Sequence, residues 1–287
     1  MDSPEHSAAT LFDRRAWRAH RDRAAQLPGG GTDFLHREVA ERLIDRLDLI
    51  NRDFTAILDL GARDGALGRL LAVRNTNALV LSAEPSLKLL GQTRAPRICA
   101  DPELIPFHDA SFDLIASSVA LHWCADLPGA LIQLRRALKP DGLLLAALLA
   151  GSTLVELRTV LFEAELAEEG GVSPRVSPTV EPSDAASLLQ RAGLAMPVSD
   201  SETITATYPD MLALMRDLRS MGETNALAAR RRFLSRATLA RAAAIYAERF
   251  PAPEGRITAT FEVLFLTGWA PHPDQMKPRP GPRRRIA

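Results

Sequence analysis

Thr55-Ala-Ile-Leu-Asp-Leu-Gly-Ala-Arg-Asp-Gly65 opens as a short apolar run, passes Asp59, and breaks at once into two glycines. An apolar run of this length between turn signals reads as a strand buried in a parallel sheet. Ala66-Leu-Gly-Arg-Leu-Leu-Ala72 then reads as a helix start. Strand, tight turn and helix together make a cradle. Glycine lets backbone approach a ligand closely, and the helix N-terminus offers unpaired N–H groups and a positive dipole end. The turn does not fit a dinucleotide site, which wants G-x-G-x-x-G. Arg63 stands where the middle glycine would be.

Strands and helices alternate outward from this cradle. Ala78–Ser82, Arg97–Ala100, Ser111–Ser117 and Leu143–Leu149 read as further strands, and Leu127–Leu138 as a helix closed by Lys139-Pro-Asp-Gly142. Such alternation implies right-handed crossovers and a parallel sheet. Ahead of the cradle, Leu11–Ala25 reads as a basic, solvated helix packing through Phe12 and Trp17. Gly29-Gly-Gly31 breaks it. Thr32 caps a second helix with an apolar stripe at Leu35, Val39, Leu43 and Leu47. After residue 151 the rhythm changes. Thr153-x-x-Glu156 reads as a capping box for a helix to about Glu169, and prolines stiffen the loop to Pro178. A short helix spans Ser183–Arg191, and Met196–Thr207 is a long strand or a strand pair. Helices in 209–249 part near Gly222, and Ile257–Trp269 is a long strand. Residues 271–287, rich in proline and arginine, read as a disordered basic tail.

Composition narrows the function classes. Lys+Arg and Asp+Glu are each 35 in 287 residues, a balance that gives no case for binding nucleic acid through phosphate neutralisation. Cys99 and Cys124 make neither a disulfide framework nor a zinc site and suit a reducing compartment. The run 142–150 is too short to span a bilayer, so membrane association is at most peripheral. Asp2 and Glu5 argue against a signal or transit peptide, and the expected location is the bacterial cytoplasm, or the matrix side in a mitochondrion.

Acids sit at the ends of three successive strands: Asp59, Glu84 and Asp101. Strand C-termini of an open parallel sheet converge on one crevice, where ligands bind. A carboxylate after the second strand can accept both hydroxyls of a ribose, and one after the third can accept from an adenine amino group. With the turn at Gly61 and Gly65, this pattern resembles class I S-adenosylmethionine-dependent methyltransferases. The resemblance implies a Rossmann-like fold with a mostly parallel seven-stranded sheet, an antiparallel last strand and helical lid insertions. It places Asp59 near the ammonium group of S-adenosylmethionine. It further implies cofactor contacts at Gly61, Gly65, Glu84, Asp101, Pro102 and Ser117. Arg63, a long cation beside a cationic ligand, is expected to lower affinity.

The stretch Phe112–Ala130 and Leu138-Lys-Pro-Asp-Gly142 resemble malonyl-acyl-carrier-protein methyltransferases. The stretches 151–158, 169–178, 208–225 and 266–269 resemble the mitochondrial complex I assembly factor 5 family and its bacterial relatives. That second resemblance implies help with assembly of the NADH:ubiquinone oxidoreductase, possible hydroxylation of an arginine in a core subunit, and that subunit as partner. The alternatives are an O-methyltransferase of biotin synthesis acting on a carrier-bound acid, and a non-catalytic assembly chaperone.

One domain is expected over 1–270. Cap helices occupy 1–50, the cofactor core 55–150, and lids 151–178 and 208–250. Methyl transfer needs mainly proximity and in-line orientation, so no catalytic base is named. His122 and Trp123, at the mouth of the crevice, are the substrate-side candidates, with Arg158, Arg175 and Met221 lining the pocket under the lid. The run Glu163, Glu165, Glu168, Glu169 could attract an arginine, while Arg175 could instead bind a carboxylate. No metal is assigned. His20-Arg-Asp22 and His36-Arg-Glu38 fall on helices, where residues two apart face nearly opposite ways.

Overall fold

The computed structural model describes residues 11–27, 34–229 and 233–274. The expected Gly29–Gly31 break, the Thr32 cap and most of the tail lie outside them. The sheet runs in the order β3-β2-β1-β4-β5-β8-β6. Its strands are β1 (Ala56–Leu60), β2 (Leu79–Ala83), β3 (Arg97–Ile98), β4 (Phe112–Ser118), β5 (Leu138–Ala150), β6 (Ala195–Tyr208), β7 (Pro251–Ala252) and β8 (Arg256–Trp269). Neighbours from β3 to β5 pair in parallel, and β8 enters antiparallel between β5 and β6. Seven strands were expected; the eighth, β7, is a two-residue strand on β8.

The apolar stretch 143–150 of β5 shows why the sheet is central. Leu143, Leu145, Ala147 and Leu149 enter one core, and Leu144, Ala146, Leu148 and Ala150 the other. Successive side chains point to opposite faces, so a strand buried on both sides has no polar alternate. The first core takes the stripe Leu35, Val39, Leu43, Leu47 of α2 (Phe34–Asp48), together with α3 (Ala66–Arg74), α6 (Val155–Glu169), α8 (Met211–Met221) and α9 (Arg236–Arg249). The second takes α5 (Leu127–Ala137) and α7 (Ala185–Arg191). Two elements remain, α1 (Arg14–Ala24) and α4 (Leu87–Leu90).

Two local expectations change. Lys139–Gly142 ends α5, but the chain enters β5 already at Leu138, paired to Phe112, with Asp141 in a left-handed conformation. Thr153 and Glu156 do not form a capping box. The Thr153 hydroxyl donates to the Glu262 carbonyl, and the Glu156 carboxylate accepts from the Thr260 amide and hydroxyl. Both side chains are buried against β8 and bind its backbone instead of the helix start. Leu154, at φ 55°, caps α6 with no side-chain hydrogen bond.

Candidate functional site

The carboxyl ends of β1, β2 and β4 meet α1 and the C-terminal end of α8. Gly61, at φ 72°, faces the segment just past β4 so closely that a Cβ would collide with the Ala120 methyl. Gly65, at φ 80°, caps α3 in the left-handed conformation that glycine adopts without strain. The Gly61 and Ala62 amides donate to the Ala83 carbonyl at 2.8 and 3.0 Å, tying the turn to β2. Ser117 donates to the Leu60 carbonyl at 2.9 Å, tying β4 to β1.

Asp59 is buried, with Gly68 of α3 packed against its Oδ2. Burial pushes its carboxyl up to about 7, against the Gly68 amide hydrogen bond that lowers it. Its side chain thus turns under α3, between β1 and the helix.

Glu84 is fully buried and takes four donors. The Arg63 and Ser86 amides reach it at 3.0 and 2.9 Å, and the Arg21 guanidinium grips both oxygens at 2.9 and 2.7 Å. Arg21, on α1, is 1% exposed. Arg14, one helix face along, makes a two-pronged contact with Asp101 and donates to the Trp123 carbonyl at 2.7 Å. Asp22 accepts from the Ser86 hydroxyl. The helix read as solvated therefore packs through Phe12 and Trp17 as expected, yet spends two arginines on the acids expected to hold ribose and adenine. Pro102 is buried beside Asp101.

Arg63 points elsewhere than its sequence position suggests. Its guanidinium donates to the Met221 and Ser220 carbonyls, capping the C-terminal end of α8, where cations are favoured. The expected repulsion of a cationic ligand therefore loses its geometric basis.

A second polar cluster adjoins the first. Glu223, just past α8, accepts from the Trp123 indole at 2.9 Å and pairs with His122 Nε2 at 3.0 Å. His36 Nε2 lies 3.8 Å and Arg21 Nη1 4.0 Å from its other oxygen. Burial pushes the Glu223 carboxyl up, but His122, Arg21 and the Trp123 indole outweigh that and hold it below the usual range. Burial, with Arg63, Arg21 and His122 nearby, holds His36 well below its ordinary value, so the ring is neutral. Both ring nitrogens of His36, Nδ1 of His122 and Oε1 of Glu223 are buried without a hydrogen-bond partner. Among the described residues no group of three His, Cys, Asp or Glu side chains could hold a metal ion.

The structure thus brings His122 and Trp123 together with Met221, through Arg63 and Glu223. It does not bring Arg158 and Arg175 to them. Those two line a separate cleft of about 360 Å³ with Phe162 and Val172. Arg175 is bound there by the buried Glu165. The other acids of that run are also engaged: Glu163 by Arg249, Glu168 by Arg241, and Glu169 by the Thr238 hydroxyl. This leaves the run no role as a ready anion patch. Glu223 escaped the sequence reading although it sits inside 208–225. A loop acid that follows no strand gives no register signal, and only the fold carries it to His122.

A family model described as "Methyltransferase domain" matches residues 58–146. The chain is 40% identical over 273 residues to the "Arginine-hydroxylase NDUFAF5, mitochondrial" of Danio rerio, covering 93% of this chain and 85% of that protein. The Homo sapiens protein of the same name is 39% identical, with 93% and 79% covered. The "Malonyl-[acyl-carrier protein] O-methyltransferase" of Methylovorus sp. (strain MP688) is 34% identical over 290 residues, with 94% and 95% covered. The solved YcgJ protein from Bacillus subtilis shares the fold at 15% identity, with a TM-score of 0.56 over 81% of this chain and 99% of that one. The chain belongs to the arginine-hydroxylase NDUFAF5 family, a branch of the class I S-adenosylmethionine-dependent methyltransferases.

Proposed function

We propose that this enzyme hydroxylates an arginine in a core subunit of the NADH:ubiquinone oxidoreductase during assembly, on the cytoplasmic or matrix side of the membrane, with dioxygen as external oxidant: one oxygen atom enters the C–H bond, and the other leaves as water with two protons and two electrons from an external reductant. The observation that carries the reading is Glu223, a buried carboxylate held anionic beside His122 and Trp123 at the crevice. An anion there favours a cationic acceptor over a malonyl carboxylate, and the relatives at 40% identity are named arginine hydroxylases. Among the described residues no helix is long and apolar enough to cross a membrane.

S-adenosylmethionine is the cofactor of this family, and the residues present fit it. The close Gly61 turn leaves no room for a side chain, Gly65 opens α3, and Glu84 and Asp101 stand at successive strand ends. When bound, the cofactor supplies an electrophilic methyl group on sulfur. In this reading Glu84 accepts from the ribose hydroxyls and Asp101 from the adenine amino group, so Arg21 and Arg14 must yield those carboxylates. Pro102 and Ser117 hold the adjoining walls.

The test is a gene deletion complemented by wild type or Glu223→Gln, with mass spectrometry of the enzyme-complex core subunits. Wild type should restore both assembly and an arginine carrying one added oxygen, and Glu223→Gln should restore neither. Assembly restored with unmodified subunits points instead to a chaperone. Labelled methyl transfer to malonyl-acyl-carrier protein would replace the reading with the O-methyltransferase one.

A further inference from the structure

The cluster around Glu223 combines features that a protein interior rarely tolerates together. Four polar atoms there are buried without hydrogen bonds, on His36, His122 and Glu223. Buried polar atoms without partners are costly, so a cluster of them marks a place shaped for a ligand. The chain itself shows what chemistry the place accepts. The Arg21 guanidinium lies between two carboxylates, bound to Glu84 and 4.0 Å from Glu223, and 5.3 Å from the Trp17 ring centre. A planar cation between acids and against an aromatic face is how proteins bind guanidinium.

We infer that Glu223, flanked by His36, His122 and Trp123, is a guanidinium-binding site, held here by Arg21 of α1 and entered by a substrate arginyl side chain when α1 withdraws. The choice of an arginyl side chain as occupant rests on the proposed hydroxylase reading. Glu223 supplies the charge. The neutral His36 ring supplies acceptor capacity for a remaining N–H group, which an ammonium would use less well. Cofactor and substrate are thereby linked, because both need Arg21 to leave, one from Glu84 and the other from Glu223.

The experiment is calorimetry of the full chain with N-acetyl-argininamide in saturating S-adenosylhomocysteine. The lysine analogue and the neutral citrulline analogue are the controls. The arginine probe should bind at least tenfold tighter than the citrulline one. Glu223→Gln should weaken it tenfold or more with S-adenosylhomocysteine affinity within about twofold of wild type. Arg21→Gln removes the internal occupant and, titrated without S-adenosylhomocysteine so that Arg21 of the wild type is still in place, should tighten the arginine probe threefold or more, a gain that damaged folding cannot imitate. Equal binding of the citrulline probe, an unchanged constant in Glu223→Gln, or no tightening in Arg21→Gln overturns the inference. The outcomes separate it from the hydroxylase reading. Glu223-dependent probe binding with unmodified subunits keeps the site and removes that function. Modified subunits with a probe indifferent to Glu223→Gln keep the function and remove the site.

Discussion

Replacing Arg21 by Met and Glu84 by Gln, singly and together, tests the contact on which the crevice is built. The two side chains are 1% and 0% exposed and share a two-pronged ion pair. Removing one partner of a buried pair leaves the other charge stranded, at a cost of about 3–5 kcal/mol. Arg21→Met should fall near the lower end, because Glu84 keeps the Arg63 and Ser86 amides. Glu84→Gln takes the two-pronged partner away from a buried guanidinium and should fall near the upper end. The double variant strands neither, and neutral pairs of similar volume are often tolerated. Its cost should lie below the sum of the singles by at least about 2 kcal/mol, within the range seen for contacting residues. Urea unfolding followed by tryptophan fluorescence measures all three, with Trp17 beside Arg21 as reporter. The denaturant slope must stay constant for the comparison to hold. Singles that add to within about 0.5 kcal/mol of the double would show no coupling and sink the argument. The same variants carry a binding signature. Arg21→Met should tighten S-adenosylmethionine by tenfold or more, since the ribose no longer competes with a guanidinium.

Three further outcomes follow from the same geometry. Arg63→Gly should not tighten cofactor binding, and should destabilise the fold by about 1–3 kcal/mol in urea unfolding, as lost bonds to the α8 carbonyls outweigh relief of a left-handed arginine. Asp59 and His36 should tilt stability against pH in opposite directions. The folded Asp59 value, about 7, exceeds its ordinary 3.8, so the folded state holds the extra proton and stability falls as pH rises between them. The folded His36 value lies below 6.5, so the unfolded state holds the extra proton and stability falls as pH drops below 6.5. Below pH 6.5 the two therefore oppose each other. Asp59→Asn should expose a slope rising by up to about 1.4 kcal/mol per pH unit, and His36→Asn one falling by as much, with parallel wild-type and variant profiles counting against either assignment. Arg158→Ala with Arg175→Ala should leave S-adenosylmethionine affinity within twofold by calorimetry, because both line the separate cleft; a larger loss would tie that cleft to the cofactor crevice.

The cradle was legible because its signals are local. Asp59, Gly61 and Gly65 lie within seven residues, and strand ends in a parallel sheet share an edge, so Glu84 and Asp101 followed by register. The apolar stripe of α2 was legible by period. Long-range polar pairing was not. Nothing in Arg14, Arg18 or Arg21 marks which one is buried, since helical spacing gives a face but not the acid opposite it. Thr153 and Glu156 satisfied a local pattern that β8 overrode, because backbone groups of a strand a hundred residues away offered buried partners. Arg63 misled for a related reason: position in a turn does not fix where a six-bond side chain ends.

The arginines of α1 also explain how the crevice can be rich in acid and still fold. Glu84, Asp101 and Glu223 gather carboxylates at one sheet edge, and unpaired buried carboxylates would shift their pKa values or unfold the site. Arg14 and Arg21 answer two of them directly, and Arg21 approaches the third. A ligand that takes Glu84 must therefore match a guanidinium bond for bond. Two ribose hydroxyls can do so in number but not in charge, which leaves a deficit that the cationic cofactor and a cationic side chain at Glu223 together can meet. On this argument the cofactor alone binds modestly, and cofactor and arginyl substrate each improve the other's binding, by the same factor.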